Sequence, residues 1–354
     1  MRATIFRGGD LVVDTLPDPV PGKGQVLVKT LACGICGSDL HAFKHTRPFI
    51  EALRRAGAPE VMDLTRDVVF GHEFCAEVLD HGPGTERRLK PGTRVCCMPL
   101  TLSDEGIRTI GYSNTLPGGF AQKMLLTEAL LLEVPNGLPT EHAALVEPMA
   151  VGVHAVEMAG VRGEEVPLVI GCGPVGLAVI AALTLKGVHP IIAADYSPAR
   201  RALAEKMGAD IVVDPSERSP YKTWTEHAAS GEPSELPGLP ALRPAVLFEC
   251  VGVPGVLQQL IDGAPPRARI VVVGVCMQTD QFEPMLAMYK ELRLQFSLSY
   301  TPEEFERTLH HVAEGELDVS PLITGRVGLE GVKGAFGELG TPERHAKILV
   351  DPWR

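Results

Sequence analysis

The sequence lacks the features of a membrane-spanning or nucleic-acid-binding chain. It has no uninterrupted apolar run close to the roughly 20 residues of a transmembrane helix, and Arg7 and Asp10 come too early for the apolar core of a secretory signal. The 33 basic residues are scattered and stand against 44 acidic ones, which gives a formal net charge of -11. Nucleic-acid binding is therefore disfavoured, and we expect a cytoplasmic protein.

The sequence also lacks the cysteine pattern of a disulfide scaffold. Eight cysteines in 354 residues without an export signal are expected to stay reduced. Cys33 and Cys36 form a C-x-x-C pair, which fits a redox pair, half of a zinc ribbon, or a single metal ligand with an incidental neighbour. The adjacent Cys96 and Cys97 have the wrong spacing for the other half of a ribbon. A redox pair normally heads a helix in a βαβ unit, whereas this pair follows a half-buried strand, so a single ligand is favoured.

The length of the chain predicts two domains, and the residue pattern changes along it. The N-terminal part has the two-residue period of half-buried strands, clearest over Gln25 to Thr30. A helical insertion interrupts it between Phe43 and Val69, and the polar stretch from Leu100 to Leu116 is predicted to be a loop. A helical bridge begins near Thr140, which is a candidate helix cap. From Val166 onward strands and helices alternate, as is typical of a parallel sheet.

A glycine-rich turn lies between the first strand and the first helix of this alternation. Gly171, Gly173 and Gly176 form a G-x-G-x-x-G motif in which Pro174 and Val175 complete the turn. The glycines allow a pyrophosphate to approach backbone N–H groups at the positive end of the helix. The motif therefore predicts a dinucleotide site, and a purely structural glycine turn is the alternative.

An acidic residue ends the next predicted strand, 19 positions after the last glycine of the motif. The Asp195 carboxylate can accept hydrogen bonds from an adenosine ribose and would repel a 2'-phosphate. This predicts NAD as the cofactor, while the nearby Arg200 and Arg201 leave NADP as an alternative.

A dense group of chemically active side chains follows the C-x-x-C pair. Cys36 is a soft metal ligand, and Ser38, Asp39 and His41 can donate, accept and relay protons. Further along, His72 begins a predicted strand and Glu147 stands beside the helical bridge. A thiol, an imidazole and a carboxylate match a catalytic zinc site with one open position. Taken without further information, Glu147 is better explained as a solvated helix residue than as a ligand.

Together these motifs resemble those of the zinc-containing medium-chain alcohol and polyol dehydrogenases. The likeness spans nearly the whole chain in the order CGICGSDLH, GHE, KPGTRV, GGFAQ, VEPMAVGVHA, GCGPVG, FECVG and AKILV. It implies an α/β protein with a GroES-like, β-rich catalytic domain at residues 1–152 and 300–354. A Rossmann domain, which is a doubly wound parallel sheet, would be inserted at residues 153–299, with the active site in the cleft between the domains.

The resemblance also implies roles for the metal-binding residues. Cys36, His72 and Glu147 resemble the ligands of the catalytic zinc, and Glu73 resembles a neighbouring carboxylate that can approach the metal. Asp39 resembles the partner of His72, which would fix the tautomer of the imidazole. Many relatives bind a structural zinc through four cysteines just after KPGTRV, and this chain has none between residues 100 and 116. We therefore expect one catalytic zinc per chain and no structural zinc.

The implied reaction is hydride transfer between an alcohol, a polyol or the matching carbonyl and NAD(H). Ser38 and His41 resemble the residues that carry the alcohol's proton towards solvent, and Lys347 resembles a residue that reaches the pyrophosphate. Other positions that resemble cofactor-lining residues are Val251, Gly252, Val273 and Gly274. We expect a homodimer or homotetramer acting on a small molecule. The alternatives are a metal-free quinone or alkene reductase of the same superfamily, or a nucleotide-binding sensor without turnover.

Overall fold

Strands dominate one part of the chain and alternate with helices in another. The computed structural model describes residues 1–58, 60–103, 106–135, 137–230, 241–341 and 343–354. Contacts divide the chain into two units: Met1–Glu147 with Phe305–Thr341 and Lys347–Arg354, and Pro148–Glu304 with Pro342–Ala346. Both units are therefore discontinuous in sequence, and most of the second lies between two segments of the first.

The strands and helices follow one another along the chain with short connections. The strands are β1 (Arg2–Arg7), β2 (Asp10–Thr15), β3 (Gln25–Gly34), β4 (Glu73–His81), β5 (Arg94–Cys96), β6 (Leu100–Ser103), β7 (Gly106–Thr109), β8 (Lys123–Thr127), β9 (Leu132–Glu133), β10 (Val166–Ile170), β11 (Ile192–Ala194), β12 (Ile211–Val213), β13 (Ala245–Glu249), β14 (Arg269–Val272), β15 (Arg293–Phe296), β16 (Ile323–Val327) and β17 (Lys347–Val350). The helices are α1 (Gly37–Lys44), α2 (Thr46–Arg55), α3 (Thr140–Ala144), α4 (Val146–Ala159), α5 (Pro174–Leu185), α6 (Pro198–Lys206), α7 (Pro220–His227), α8 (Val256–Gly263), α9 (Pro284–Tyr289), α10 (Pro302–Ala313) and α11 (Val332–Leu339).

The first unit is organised around β3, the longest of the described strands. Its side chains alternate between buried and half-buried positions over most of its length, as the two-residue period predicted. It pairs antiparallel with β4, β8 and β17. The register sets Gly34 opposite both Glu73 and Leu349. The end of β3 therefore brings together chain segments that are far apart in sequence, and the candidate metal site forms there.

The second unit is a six-stranded parallel sheet with the order β12-β11-β10-β13-β14-β15. The first strand of the unit is thus central, and the chain winds outward from it in both directions, which is the Rossmann arrangement. All five residues of β13 are buried, and four of the five in β10 are, because helices cover both faces of such a sheet.

Several local predictions were wrong. The predicted loop from Leu100 to Leu116 contains an antiparallel hairpin of β6 and β7, whose short strands carry little apolar periodicity. Thr140 is the first residue of α3 rather than its cap, and Pro139 takes the N-cap position. The helix after the glycine turn begins at Pro174, because proline suits the first helical position. The polar, proline-rich stretch from Ser216 to Pro244 predicts a helix around Lys222 to Ala228 and a surface loop. Helix α7 lies at Pro220–His227, and residues 231–240 of this stretch lie outside the described residues.

Candidate metal centre and nucleotide-binding turn

Three predicted metal-binding side chains converge at the end of β3. One ligand atom each from Cys36, His72 and Glu73 lies within 4.8 Å of the others. Cys36 is in extended conformation between β3 and the first turn of α1, with φ -89 and ψ 155. His72 immediately precedes β4, and Glu73 begins it. A thiolate, an imidazole and a carboxylate are the donor set that zinc prefers, so the chemistry of the cluster fits that metal.

The imidazole of His72 is held beside a buried carboxylate. Its Nδ1 lies 3.3 Å from Asp39 Oδ1, a contact that lacks hydrogen-bond geometry, so Nδ1 has no hydrogen-bond partner among the described residues. Burial disfavours the imidazolium, but the negative charges of Asp39 and Cys36 outweigh it and raise the pKa of His72 well above its ordinary value. A metal ion must therefore displace a proton from His72 to bind.

Glu73 and Lys347 form a buried ion pair that the sequence did not predict. Lys347 Nζ lies 2.6 and 2.7 Å from the two carboxylate oxygens and donates a further hydrogen bond of 3.1 Å to the carbonyl oxygen of Ile35. The side chains are 1% and 0% exposed. A Cβ atom at Gly34 would overlap Glu73 Oε2, so glycine is needed opposite Glu73. The expectation that Lys347 reaches a pyrophosphate was wrong, because its ammonium group is enclosed beside Glu73.

Glu147 lies near this pair but does not join the three-residue cluster. It is half-buried in the first turn of α4. Burial opposes the charge of Lys347, yet the negative charges of Glu73, Cys36 and Glu147 together raise the pKa of that lysine. Glu147 is therefore within electrostatic reach of the same cation that Glu73 binds.

The predicted proton-carrying residues lie on α1, next to the cluster. Ser38 Oγ is 3.4 Å from His72 Nε2. His41 is half-buried on the same helix, and its ring stacks on that of His45 with centroids 6.3 Å apart. Burial and the positive charges of His45 and Lys44 lower the pKa of His41. His41 is therefore neutral at neutral pH, the state in which an imidazole can accept a proton.

Sequence reasoning missed Tyr112, which reaches the same helix from the segment after β7. Its hydroxyl oxygen lies 2.9 Å from Ser38 Oγ and 3.0 Å from Asp39 Oδ1. One weak signal was present, an aromatic residue in a stretch of polar and glycine residues. Cys33, by contrast, is fully buried, and burial raises the pKa of its thiol well above the ordinary value. It stays apart from the metal cluster.

The glycine motif forms the turn that the sequence predicted. Gly171 has φ 93, in the left-handed region that favours glycine, and Gly173 is the N-cap of α5. A Cβ atom at Gly176 would overlap the carbonyl oxygen of Gly171. Asp195 directly follows β11, and its carboxylate accepts 2.8 Å hydrogen bonds from the N–H groups of Cys172 and Ser197. Asp195 is thus fixed beside the turn.

Arg200 and Arg201 differ in their surroundings. Arg200 Nη1 lies 3.9 Å from Asp195 Oδ2, and its Nε is buried without a hydrogen-bond partner among the described residues. Arg201 pairs with Asp214 at 2.8 Å and donates to the carbonyl oxygen of Asp195. Arg201 is therefore paired with Asp214, whereas Arg200 is the cation beside the Asp195 carboxylate.

The remaining predicted cofactor positions meet at the carboxyl ends of β13 and β14. Glu249 Oε1 accepts 2.8 Å hydrogen bonds from the N–H groups of Val251 and Gly252. Its carbonyl oxygen accepts 2.9 Å bonds from Val273 and Gly274. Ligands of doubly wound sheets bind outside these strand ends, at the point where the strand order reverses. The arrangement therefore suits a nucleotide, and the second unit holds all the predicted cofactor residues.

Comparisons with known proteins identify two matching domain families and several dehydrogenase relatives. Residues 22–136 match the alcohol dehydrogenase GroES-like domain, and residues 174–314 match the zinc-binding dehydrogenase domain. The (R,R)-butanediol dehydrogenase of Bacillus subtilis (strain 168) is 31% identical over 353 residues, 97% of each chain. The sorbitol dehydrogenase of Bos taurus is 29% identical over 342 residues, 93% of this chain and 89% of that protein.

Solved structures give the same result. The crystal structure of 2R,3R-butanediol dehydrogenase from Bacillus subtilis superposes with a TM-score of 0.82 at 29% identity, covering 99% of each chain. A putative zinc-binding dehydrogenase from Sinorhizobium meliloti 1021, solved bound to NADP, has a TM-score of 0.79 at 27% identity and covers 99% of each chain. The predicted GroES-like and Rossmann folds are thereby confirmed.

The fold and the relatives define an oxidoreductase. The protein transfers a hydride between an alcohol or polyol and the matching carbonyl, using zinc and a nicotinamide cofactor, and its substrate is a small molecule. The chain belongs to the zinc-containing medium-chain dehydrogenase family. The metal-free reductase and the sensor without turnover are not favoured. None of the described helices is long and apolar enough to cross a membrane.

Proposed function

We propose that this dehydrogenase oxidises a secondary alcohol that has a neighbouring hydroxyl group, as in a vicinal diol or polyol, with NAD as the oxidant. The relatives named above as butanediol and sorbitol dehydrogenases support this substrate class. The observation that carries the proposal is the convergence of Cys36, His72 and Glu73 beside Ser38, which combines a metal-ligand set with a proton acceptor.

For the metal, we propose one catalytic zinc per chain, held by Cys36, His72 and one carboxylate. When bound, zinc supplies Lewis-acid stabilisation of an alkoxide oxygen. The 4.8 Å cluster favours Glu73 as the third ligand, since a carboxylate has lone pairs left after accepting two bonds from Lys347. Glu147 is the alternative third ligand. The cysteine-free stretch from Leu100 to Leu116 supports the proposed absence of a structural zinc.

Metal analysis of two matched variants separates the two carboxylates. Glu73→Gln and Glu147→Gln each remove one charge while keeping the shape of the side chain. We expect the variant that loses a ligand to bind zinc at least about 100-fold more weakly, because even the loss of a group that only orients a ligand costs about 10- to 100-fold, and the other variant to keep a stoichiometry of about one. Two or more tightly bound zinc ions in the wild type would contradict the proposal of a single zinc.

For the proton, we propose a relay in which Ser38 accepts the proton of the substrate hydroxyl while its own hydroxyl proton leaves towards His41, which passes it to solvent. The alcohol carbon then gives its hydride to the nicotinamide, leaving a carbonyl product, so one proton and one hydride leave the substrate. Asp39 places a negative charge beside the His72 imidazole, 3.3 Å from Nδ1. Ser38→Ala should lower kcat by about 100-fold, within the range expected for loss of a group that transfers a proton, with zinc still bound. An unchanged kcat would refute this role.

For the cofactor, we propose NAD bound by the Rossmann domain at residues 153–299, with Asp195 on the adenosine ribose. Its carboxylate would repel a 2'-phosphate, and Arg200 would contribute to the adenosine side of the site. The other residues proposed to line the site are Gly171, Gly173, Pro174, Val175, Gly176, Val251, Gly252, Val273 and Gly274. Initial rates with NAD and NADP at equal concentration test the assignment, and a preference for NADP would overturn it.

For the assembly, we propose a homodimer or homotetramer. Strand β15 ends the described order of the parallel sheet, and all four of its residues are exposed. Phe296 is 64% exposed, and Leu298 just beyond it is 80% exposed. An exposed apolar edge strand is a template for pairing with another strand. Phe296→Asp should shift the mass measured by light scattering towards the monomer, whereas an oligomer that is insensitive to this change would exclude β15 from the interface.

The substrate class is tested directly with the zinc-loaded enzyme. Primary, secondary and aromatic alcohols, vicinal diols and longer polyols are compared by the formation of NADH at fixed pH. We expect kcat/KM to be highest for secondary alcohols with an adjacent hydroxyl. Equal or higher values for simple primary alcohols would contradict the proposed substrate class.

A further inference from the structure

A surface groove with a positively charged lining lies in the first unit, where α1 ends and α2 begins. Its volume is about 590 Å³, within the range of small-molecule sites. Three of its residues carry a permanent positive charge, one is a histidine, and none is acidic. The residues that line it are Phe6, Gly8, Gly9, Lys44, His45, Thr46, Arg47, Pro48, Leu64 and Arg66. The groove therefore has the charge of an anion-binding site.

The three permanent cations of the lining have no counter-charge of their own. Lys44, Arg47 and Arg66 are all exposed, and none of them forms an ion pair or a side-chain hydrogen bond with another described residue. The chain as a whole has 44 acidic residues against 33 basic ones. This local excess of positive charge therefore runs against the overall charge of the protein.

The acidic residues of the neighbouring segment are held by other groups. Asp67, next to Arg66 in the sequence, accepts hydrogen bonds of 2.7 Å from Arg7 on both of its carboxylate oxygens. Asp63 accepts bonds of 2.9 and 2.8 Å from the N–H and the hydroxyl of Thr65. These bonds, and then the charge of Arg66, lower the pKa of Asp63. Neither carboxylate pairs directly with Arg66, so the positive charge of the groove remains available to a ligand.

The base of the groove is apolar and fixed in place. Phe6 is 5% exposed, and its ring packs against those of Phe43 and Phe70, with centroids 5.9 and 5.3 Å apart. Gly8 and Gly9, in the turn between β1 and β2, have φ 60 and 87, and a Cβ atom at either would meet no atom within 4 Å. That side of the groove is therefore open. An apolar base beneath several cations suits an organic anion better than a simple ion.

We propose that this groove binds a small phosphorylated organic molecule. The planar guanidinium groups of Arg47 and Arg66 match phosphate oxygens through paired N–H donors. Lys44 adds a third charge, and the apolar base accepts the carbon skeleton of the ligand. Lys44 lies about 9 Å from Ser38 along the axis of α1. The site is thus separate from the metal cluster, and the inference does not depend on the proposed alcohol chemistry.

Calorimetric titration of the zinc-loaded enzyme tests the site, with saturating NADH present so that the nucleotide site is already filled. The probe is fructose 1,6-bisphosphate. We expect saturable binding of about one probe per chain with a Kd below about 1 mM, weakened as salt is raised from about 0.05 to about 0.5 M. Glutarate, a dicarboxylate, should bind at least about 10-fold more weakly. Equal binding of glutarate would refute the assignment of phosphate as the recognised group.

Arginine variants show where the probe binds. Arg47→Gln and Arg66→Gln should each weaken binding of the bisphosphate about 10-fold, as expected for the loss of one hydrogen-bonded charge. Arg54→Gln is the matched control, because Arg54 is also exposed on α2 but does not line the groove. It should leave the affinity unchanged. If all three variants weaken binding equally, the probe follows the overall charge of the protein and the inference fails.

A charge placed in the groove gives an independent test. Leu64 lines the groove and is 39% exposed, so its replacement should not disturb folding. Leu64→Glu adds a negative charge there, and Leu64→Gln has nearly the same shape without the charge. We expect the bisphosphate to bind about 10-fold more weakly to Leu64→Glu than to Leu64→Gln. Equal affinities in this pair, or no saturable binding to the wild-type enzyme, would overturn the inference.

Discussion

The buried pair of Glu73 and Lys347 allows a quantitative prediction. Both side chains are enclosed, 0% and 1% exposed, and the lysine makes hydrogen bonds of 2.6 and 2.7 Å to the two carboxylate oxygens. In Lys347→Met the methionine fills most of the lysine volume but leaves the Glu73 charge unpaired in the core. Removing one partner of a buried pair costs about 3–5 kcal/mol of stability. Solvent screening does not reduce this figure, because neither group reaches water.

The pH dependence of the loss follows from the charges. Burial lowers the pKa of Lys347, but Glu73 and other nearby anions outweigh burial and raise it. The stability that Lys347 gives the wild type is therefore complete below the ordinary lysine pKa. It is lost only as pH rises through the raised value. The destabilisation in Lys347→Met should therefore be present in full at about pH 8 and should shrink only where pH rises through the raised pKa of the lysine.

Two tryptophans make the assay specific to one unit. Trp353 belongs to the first unit, where its Nε1 donates to the carbonyl oxygen of Thr30, and Trp224 is buried in the second. Urea denaturation is followed by tryptophan fluorescence, and Trp353→Phe identifies which transition belongs to which unit. In Lys347→Met, only the transition of the first unit should move to a lower urea concentration. The double variant Glu73→Gln with Lys347→Met should recover at least about 2 kcal/mol relative to the sum of the single losses.

Two results would refute this reasoning. If the free energy of unfolding of Lys347→Met at pH 8 lies within about 0.5 kcal/mol of the wild-type value, the ion pair does not contribute to stability as a buried charge pair should. A double variant that loses as much as the two single variants together would show that the loss arises from packing and not from an unpaired charge.

Three further predictions concern the metal, the nucleotide and the proton path. Because the pKa of His72 is raised, zinc affinity should climb with pH, by about 10-fold per unit for the proton that His72 releases; competition with a chromogenic chelator measures it, and a flat profile would count against ligation by His72. Gly176→Ala, whose Cβ would overlap the carbonyl oxygen of Gly171, should weaken NADH binding about 10- to 100-fold in a fluorescence titration without loss of zinc, and unaltered affinity would exclude this turn from the nucleotide site. His41→Ala should slow alcohol oxidation most at low pH, where water and hydroxide are poor substitutes for the imidazole; an unchanged pH–rate profile would remove His41 from the path.

Much of the second unit was predictable because its signals are local. An apolar strand, a glycine-rich turn and Pro174 at a helix start each constrain the backbone within a few residues. Asp195 follows from the same logic, since a fixed helix length sets the spacing between the turn and the end of the next strand. Ser197, followed by Pro198, is a local signal of the same kind: it caps α6 and accepts a hydrogen bond from the N–H of Arg200.

The first unit was harder to predict because its strands are short and its pairings are distant. The hairpin of β6 and β7 carries little periodicity, so the polar composition of its segment suggested a loop. The role of Lys347 was also misjudged, because the resemblance pointed to a pyrophosphate while the strand register places the lysine beside Glu73.

The amino-acid sequence by itself determined the class of protein and which chemical groups are present, because the ordered motifs and the glycine spacing involve residues that are close together in the chain. The tertiary structure decided which groups meet. Glu73 and Lys347 are 274 positions apart, and Ser38 and Tyr112 are 74 apart. Such contacts depend on how β3 pairs with its neighbouring strands and on how α2 packs, and the free energy of those arrangements is set by the whole unit rather than by any one segment.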